Sequence, residues 1–258
     1  MSAEKLAAIG IDLGSATAKV VGVDPGGAMV WHTLEPSDPR AEVQAARLLG
    51  EARERAAVGA RVVATGYGRK LVPGADRVVT EITCHARGVY TRLGHGGTLI
   101  DIGGQDSKVI LIGADGAVLN FKMNDKCAAG TGRFLEVAAT RLQLPLDSLG
   151  ETALAAASEV KISSTCTVFA ESEMVSLLAR GEAVECIARG LTRSLVSRVA
   201  AMAKSLQPRP PIMLSGGVAR SPAVRAFLGE ALGGVDVELP DEPQLMGAYG
   251  AALLALKM

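Results

Sequence analysis

The chain has 258 residues, with 27 basic and 27 acidic side chains, 48% hydrophobic residues and 3% aromatic residues. Zero net charge without a Lys/Arg cluster argues against a nucleic-acid groove, because neutralising phosphates needs a clustered basic excess. No apolar run reaches the roughly 18 residues of a membrane helix, and Asp12 interrupts the first apolar stretch. We therefore expect a cytoplasmic protein with no membrane or nucleic-acid partner.

The first half of the chain contains short apolar runs separated by turns. Residues 6–34 predict a strand, a glycine turn, a second strand, a hairpin and a third strand. Helical patterns follow at 41–57 and 80–93. Residues 98–119 repeat the opening pattern: a shift of 89 aligns 11–30 with 100–119 without a gap, and seven of the twenty positions are identical. Two copies of one unit predict two similar domains.

The second half reads mainly as helices, which begin near Gly132, Phe169 and Val184. The last of these has an apolar stripe at helical spacing, formed by Ile187, Leu191, Leu195, Val199, Met202 and Leu206. Ser221 and Pro222 open another helix after the strand-like segment 211–217, and a final helix is expected from Pro243 to Leu256. These patterns predict an α/β fold with a cleft between two domains, residues 1–95 plus 244–258 and residues 96–243.

The segment GIDLGSATAK, residues 10–19, places an acidic residue at a strand end before a glycine turn. Gly14 lets the N–H groups of residues 15–17 approach an anion, while Ser15, Thr17 and Lys19 offer donors and charge. Asp12 is expected to hold magnesium through water, since hard cations prefer oxygen ligands. A plain hairpin with a solvated Asp is the alternative interpretation of this segment.

The segment DIGGQDSK, residues 101–108, repeats this arrangement with Gly103 and Gly104 between Asp101 and Gln105. Two facing turns can clamp a polyphosphate from both sides, with Asp12 and Asp101 sharing one Mg²⁺ and Gln105 orienting an attacking water. Neither turn has the spacing of a P-loop or a Rossmann motif. The repeat therefore favours phosphate chemistry over a plain hairpin.

Two further segments are candidates for contact with a nucleoside. Gly216 and Gly217 form a third glycine turn between a strand and a helix, where the adenosine half of a nucleotide could pass. Gln244 stands at the start of the final helix and is a nucleotide-contact candidate. The glycines within that helix are expected to serve close packing.

Two of the four cysteines stand before predicted helices. Cys127 precedes a glycine turn that opens a helix, and Cys166 directly precedes another. A helix N-terminus favours a thiolate or a negatively charged metal cluster, while burial in the core is the alternative. A [4Fe–4S] cluster needs four thiolates, so two per chain would require a symmetric homodimer with the cluster on its two-fold axis. Cys84 and Cys186 are expected to be core or helix-face residues. The three histidines have no partnered Ser or Asp motif, so a hydrolytic triad is not indicated.

Six motifs together resemble one known family along the whole chain: GIDLGSATAK, ATGYGR (64–69), DIGGQDSK, NDKCAAGTGRFLE (124–136), ISSTCTVFAESE (162–173) and SGGVA (215–219). The chain is similar to activators of 2-hydroxyacyl-CoA dehydratases, which group with the ATPase subunits of benzoyl-CoA reductase. That group belongs to the superfamily of acetate kinase, sugar kinases, heat-shock chaperones and actin. The two cysteine motifs are the specific ones, since the phosphate turns alone indicate only the superfamily.

The resemblance implies a homodimeric ATPase with the duplicated two-domain fold of that superfamily and an interdomain cleft for Mg-ATP. One [4Fe–4S] cluster would be held by Cys127 and Cys166 of both subunits, in the second domain, which would also form the dimer interface. ATP hydrolysis would drive one low-potential electron from this cluster into the dehydratase. A ferredoxin or flavodoxin would supply the electron.

The resemblance also implies roles for individual positions. Asp12 and Asp101 would serve magnesium through water and, with Gln105, catalysis. ATP or ADP would be bound by residues of the three turns and the last helix: Ser15, Ala16, Thr17, Ala18, Lys19, Gly103, Gly104, Gln105, Gly216, Gly217 and Gln244. The family often has Ser-Thr after the first-turn glycine, whereas Ser15 is followed here by Ala16, so a side-chain phosphate contact is lost at position 16.

Three other functions remain open at this stage. A small-molecule kinase of the same fold would carry both cysteines as core residues and would be colourless. A nucleotide-gated interaction module would lack catalysis, and no polymerisation insert or peptide-binding domain is evident. Within the family, the chain could instead be the ATPase and electron-transfer subunit of a benzoyl-CoA reductase-type or double-cluster reductase system.

Overall fold

The computed structural model describes residues 5–163 and 166–258, so two residues of the motif at 162–173 lie outside it. The strands are β1 (Leu6–Leu13), β2 (Thr17–Val23), β3 (Met29–Pro36), β4 (Ala56–Thr65), β5 (Arg77–Val78), β6 (Gly97–Ile102), β7 (Ser107–Ile112), β8 (Val118–Asn124), β9 (Ile212–Ser215) and β10 (Val237–Glu238). The helices are α1 (Ala41–Arg53), α2 (Glu81–Leu93), α3 (Gly132–Leu142), α4 (Leu149–Ala155), α5 (Thr167–Ala179), α6 (Val184–Lys204), α7 (Pro222–Ala231) and α8 (Met246–Ala255).

The chain divides into two compact units. Unit 1 comprises Met1–Gly96, Ile112–Leu119 and Pro240–Met258, and unit 2 comprises Gly97–Leu111 and Asn120–Leu239. Residues 112–119, which include the end of β7, the turn after it and the start of β8, are grouped with unit 1, whereas the predicted second domain of residues 96–243 contained them.

Unit 1 is built on a five-stranded sheet in the order β3-β2-β1-β4-β5. Strand β2 is antiparallel to β1 and β3, and β4 is parallel to β1 and β5. Because side chains alternate along a strand, Ile9 and Ile11 pack in the core cluster that includes α1, whereas Gly10 and Asp12 lie on the other face. A Cβ at Gly10 would lie 2.0 Å from the Ala248 carbonyl oxygen, so glycine lets α8 lie directly on β1.

Unit 2 is built on a second five-stranded sheet in the order β10-β9-β6-β7-β8. Strand β9 runs parallel to β6 and β10. Ile100 and Leu214, paired across β6 and β9, belong to the core cluster that includes helices α3 to α7. Asp101 and Ser215 are the next pair along the same strands, so alternation places them on the opposite face of the sheet.

Most of the predicted elements are confirmed, and the differences have tertiary causes. The stripe predicted near 184–206 lies on α6, where Ile187, Leu191, Leu195 and Val199 are buried. Helix α7 begins at Pro222 and is capped by Ser221, as predicted. Helix α1 ends at Arg53 because residues 56–65 form β4, which pairs with β1 and which no local pattern predicted. Helix α8 begins at Met246, three residues after the predicted start. Across the two described ranges, no helix is both long and apolar enough to cross a bilayer.

Candidate nucleotide site and cysteine loops

Both predicted glycine turns, after β1 and after β6, are present and are built alike. In the first, the N–H of Gly14 donates to the Thr17 carbonyl oxygen at 3.1 Å. In the second, the N–H of Gly103 donates to the Asp106 carbonyl oxygen at 2.9 Å. These positions are equivalent under the shift of 89 residues, so the sequence repeat is also a repeat of backbone geometry.

Each turn follows a buried aspartate that contacts a lysine. Asp12 and Lys19 face each other across β1 and β2, with Lys19 Nζ 3.4 Å from Asp12 Oδ2. Lys108 Nζ likewise lies 3.4 Å from Asp101 Oδ2. A buried carboxylate needs such compensation, because taking an unpaired charge out of water is costly. The two aspartates thus share one feature, an ammonium group 3.4 Å from Oδ2.

The second turn carries two additional polar partners. Lys108 Nζ lies 2.6 Å from Asp106 Oδ2, and Ser215 Oγ donates to Asp101 Oδ1 at 2.8 Å. Neither Asp106 nor Ser215 is among the site residues predicted from the sequence. The sequence does contain a signal for each residue: Asp106 lies within DIGGQDSK, and Ser215 immediately precedes the third glycine turn.

The carbonyl groups of the first turn are held by a serine beyond β3. Ser37 Oγ donates to the Gly14 carbonyl oxygen at 2.8 Å, and the N–H of Ser37 donates to the Ala16 carbonyl oxygen at 3.0 Å. Ser37 therefore fixes two carbonyl groups of the turn from outside it.

The carbonyl groups of the second turn are held by the start of α3. The N–H groups of Gly132 and Arg133 donate to the carbonyl oxygens of Gly103 and Gly104, both at 2.8 Å. A Cβ at Gly132 would lie 3.1 Å from the Gly103 oxygen, so the contact is close. Helix α3 begins five residues after Cys127, and unit 2 therefore links a turn and a cysteine loop by two backbone hydrogen bonds.

The loop of the ATGYGR motif borders the first turn. The N–H of Gly68 donates to the Leu13 carbonyl oxygen at 2.8 Å. Gly66 has a φ of 94°, and a Cβ there would lie 2.4 Å from Asp12 Oδ1. Only glycine fits this position, both for its backbone conformation and for the space beside the carboxylate.

The remaining predicted contacts differ in accessibility. Four residues of the first turn are partly buried: Ser15, Ala16, Thr17 and Lys19. The Ala18 side chain lies in the core of unit 1, so only the backbone of Ala18 is available for contact with a ligand. Gln105 is exposed and Gly104 is partly buried.

The third glycine turn lies beside Asp101 in unit 2. Gly216 has a φ of 88°, and a Cβ there would lie 2.3 Å from the Ile102 carbonyl oxygen and 3.0 Å from Asp101 Oδ1. Gly217 is exposed. Gln244 belongs to unit 1, where it is partly buried two residues before α8.

Cys127 and Cys166 are both exposed, so the alternative that they are core residues is wrong. Asn124 holds the Cys127 backbone on both sides: its Nδ2 donates to the Cys127 carbonyl oxygen at 2.7 Å, and its Oδ1 accepts from the Cys127 N–H at 3.1 Å. A short 3-10 helix, Ala128–Gly130, then leads to α3. Cys166 directly precedes α5, as predicted.

The other two cysteines have the expected settings. Cys84 is buried on α2, and burial raises the pKa of its thiol to about 12, which makes it unreactive at neutral pH. Cys186 is partly buried on α6. In the part of the chain that the structure describes, no three His, Cys, Asp or Glu side chains are grouped to hold a metal ion.

The family model of the BadF/BadG/BcrA/BcrD ATPases matches residues 9–255. The 2-hydroxyisocaproyl-CoA dehydratase activator of Clostridioides difficile is 47% identical over 196 residues, which are 76% of this chain and 73% of that protein. The (R)-2-hydroxyglutaryl-CoA dehydratase activating ATPase of Acidaminococcus fermentans is 41% identical over 255 residues, 96% of each protein. The predicted resemblance is confirmed.

The solved structures confirm the predicted fold class. The activator of the 2-hydroxyisocaproyl-CoA dehydratase from Clostridium difficile, with bound ADPNP, has a TM-score of 0.89 at 38% identity, covering 97% of this chain and 94% of that one. A ROK family glucokinase from Streptomyces griseus has a TM-score of 0.59 at 18% identity, covering 97% of this chain and 99% of that one. The likeness to the sugar kinase is one of fold alone.

Proposed function

Because the chain belongs to the BadF/BadG/BcrA/BcrD ATPase family, we propose that it is an ATP-dependent activator of a 2-hydroxyacyl-CoA dehydratase. It transfers a low-potential electron from an intersubunit [4Fe–4S] cluster to that partner and couples the transfer to ATP hydrolysis. The observation that carries the proposal is the link, within unit 2, between a phosphate-type turn and the loop of an exposed cysteine through α3. The kinase alternative expects both cysteines in the core, whereas Cys127 and Cys166 are exposed.

ATP and ADP bind to the glycine turns in this proposal. The N–H groups of residues 15–17 and of Gly104 and Gln105 contact the phosphates, with charge from Lys19, while Gly216, Gly217 and Gln244 contact the nucleoside. Two observations support these roles. Two carbonyl groups of each turn already accept hydrogen bonds from other segments, which favours ligand contact with the N–H groups. A relative of known structure binds ADPNP.

Magnesium fits the two aspartates through water. Asp12 and Asp101 offer the oxygen ligands that Mg²⁺ prefers, yet both are buried and each has an ammonium group 3.4 Å away. Mg²⁺ gives up its waters reluctantly, so a neutralised carboxylate suits a hydrogen bond to a metal-bound water. Bound magnesium supplies positive charge to the phosphates. The exposed Gln105 then orients the attacking water.

A [4Fe–4S] cluster fits the two exposed cysteines only when two chains contribute. Each chain offers Cys127 and Cys166, and a cluster of this type takes four thiolates. Exposed apolar side chains follow Cys166: Val168 and Phe169 are each 68% exposed on the first turn of α5. Apolar surface of this kind favours burial against a second copy. A bound cluster supplies one electron at low potential.

Helix α3 provides a path by which nucleotide state can reach Cys127. Movement of the second turn displaces the carbonyl groups of Gly103 and Gly104, which hold the first two N–H groups of α3. Since Cys127 lies five residues earlier and Asn124 fixes its backbone, the displacement acts on the thiol position. A coupling of this kind typically amounts to about 1–3 kcal/mol.

The dehydratase and the electron donor are the partners that this activity requires. Two relatives that are 47% and 41% identical are named for dehydratase activation. We therefore propose that the partner of this chain is a dehydratase that acts on a 2-hydroxyacyl-CoA, and that a ferredoxin or flavodoxin donates the electron to the chain.

Anaerobic purification of single cysteine variants tests the proposal. We expect the wild-type protein to be a dimer with about four iron and four sulfide per dimer, and to bleach in oxygen. Cys127→Ser and Cys166→Ser should each lose the iron while ADP affinity, measured by titration calorimetry, changes by less than about twofold. Cys186→Ser is the matched control, because Cys186 is only partly buried and lies outside the cysteine loops.

Two results would contradict the proposal. Equal iron loss in the Cys186→Ser protein would show that the ligand assignment is wrong. A monomeric, iron-free protein that phosphorylates a small molecule in air would favour the kinase alternative.

A further inference from the structure

The carboxylate of Asp12 occupies a space that two glycines leave open. Asp12 is buried on the α8 face of β1. A Cβ at Gly66 would lie 2.4 Å from Asp12 Oδ1, and a Cβ at Gly247 would lie 2.9 Å from Asp12 Oδ2. A side chain at either position would therefore displace the carboxylate.

A histidine from α2 borders the same space. His85 Nε2 lies 2.7 Å from the position of a Cβ at Gly247, the same point that lies 2.9 Å from Asp12 Oδ2. His85 is buried, and α2 packs extensively against α8. The imidazole and the carboxylate thus face one gap, although 73 residues separate them in the sequence.

The surroundings of the two carboxylate oxygens differ. Oδ2 faces Lys19 Nζ, at 3.4 Å, and the gap bordered by His85. Oδ1 faces Gly66, which has no side chain. An N–H donor and an ammonium directed at one oxygen fix the plane of a carboxylate, which leaves its other oxygen to accept from a water.

We propose that His85 is a positioning residue that holds the Asp12 carboxylate so that Oδ1 accepts from a water bound to the magnesium of the nucleotide. This inference rests on the proposed function. The aspartate of the second turn is also held by two side chains, but these are divided between its oxygens, since Lys108 contacts Asp101 Oδ2 and Ser215 donates to Asp101 Oδ1.

The test separates metal-dependent from metal-free nucleotide binding. ADP affinity is measured by titration calorimetry with excess Mg²⁺ and again with EDTA. The ratio of these two affinities is the gain in ADP affinity that the metal provides. We expect His85→Ala to reduce that gain at least about fivefold, the equivalent of one hydrogen bond, with the affinity in EDTA unchanged within about twofold. His85→Gln, which keeps an N–H donor, should restore most of the gain.

Two further variants and a folding assay distinguish a loss of metal binding from a loss of folding. His32→Ala changes an exposed histidine on β3 of the same unit and should leave both affinities unchanged. Gly247→Ala places a methyl group between Asp12 and His85 and should reduce the gain as His85→Ala does. Thermal unfolding of each variant verifies that it is folded.

Equal losses of affinity with and without Mg²⁺ would show that His85 only packs, and would overturn the inference. So would a wild-type protein that binds ADP but gains nothing from the metal, a result that leaves the nucleotide site intact. A wild-type protein that binds no ADP would overturn the proposed function and this inference with it.

Discussion

Lys108→Met removes the ammonium group that two acidic side chains contact inside unit 2. The Lys108 side chain is 2% exposed, and its Nζ lies 2.6 Å from Asp106 Oδ2 and 3.4 Å from Asp101 Oδ2. Methionine keeps a flexible unbranched apolar stem. The substitution therefore removes the charge with little loss of packing.

The cost follows from the burial of the carboxylates that remain. Removing one partner of a buried ion pair costs about 3–5 kcal/mol, because a charge is left without compensation. Asp101 keeps its hydrogen bond from Ser215, and the Asp106 side chain is 22% exposed and can be hydrated. We expect a loss near the lower bound, about 3 kcal/mol in the free energy of unfolding.

Lys19→Met is the matched control in the first turn. Its Nζ contacts one carboxylate at 3.4 Å, and its side chain is 14% exposed. We expect a loss of about 1–2 kcal/mol, between the values for exposed and buried pairs.

Urea unfolding of the protein without nucleotide or metal measures both losses by far-ultraviolet circular dichroism. The single tryptophan, Trp31, lies in unit 1, so its fluorescence reports that unit separately. A loss no larger than that of Lys19→Met would refute the reasoning.

The remaining predictions concern the scaffold. The pKa of Asp76 is lowered, mainly by a hydrogen bond from the N–H of Val62 and next by one from the Arg61 guanidinium. The ionised carboxylate therefore stabilises the fold at pH values above the pKa of the unfolded state. This stabilisation is lost as the pH falls through the lowered pKa of the folded state. Asp76→Asn should cost roughly 1 kcal/mol in urea unfolding at pH 7, and a cost that persists at pH 2 would contradict this assignment. Gly250→Ala places a Cβ 1.8 Å from a backbone oxygen of α2 and should cost about 3 kcal/mol or more. Gly50→Ala, where no atom of the described residues outside its own helix backbone lies within 4 Å, should instead stabilise by about 0.5–1 kcal/mol in the same assay. The pKa of the Cys84 thiol is raised to about 12, so Cys84 should resist iodoacetamide at pH 8 in the native protein and react in urea. Peptide mass spectrometry measures the labelling. Labelling of native Cys84 at the rate of the exposed cysteines would contradict this prediction.

The order of amino acids by itself determined the parts of the site that are local in the chain. Each strand–turn–strand unit is one continuous segment, Leu6–Val23 or Gly97–Ile112, so the spacing of its residues in the sequence predicts its geometry. The shift of 89 residues reappears as two aspartate–lysine contacts of 3.4 Å. The positions of Cys127 and Cys166 before helices are also local, and they were predicted for the same reason.

Only the tertiary structure decided which distant groups meet at those turns. Ser215 reaches Asp101 from 114 residues away, and the start of α3 takes the carbonyl groups of the second turn. His85 comes beside Asp12 because α8 packs on β1 and α2 packs against α8. Contacts of this kind depend on how helices pack on a sheet. The hydrophobic periodicity of one segment predicts which of its faces is buried, but not which other segment packs there.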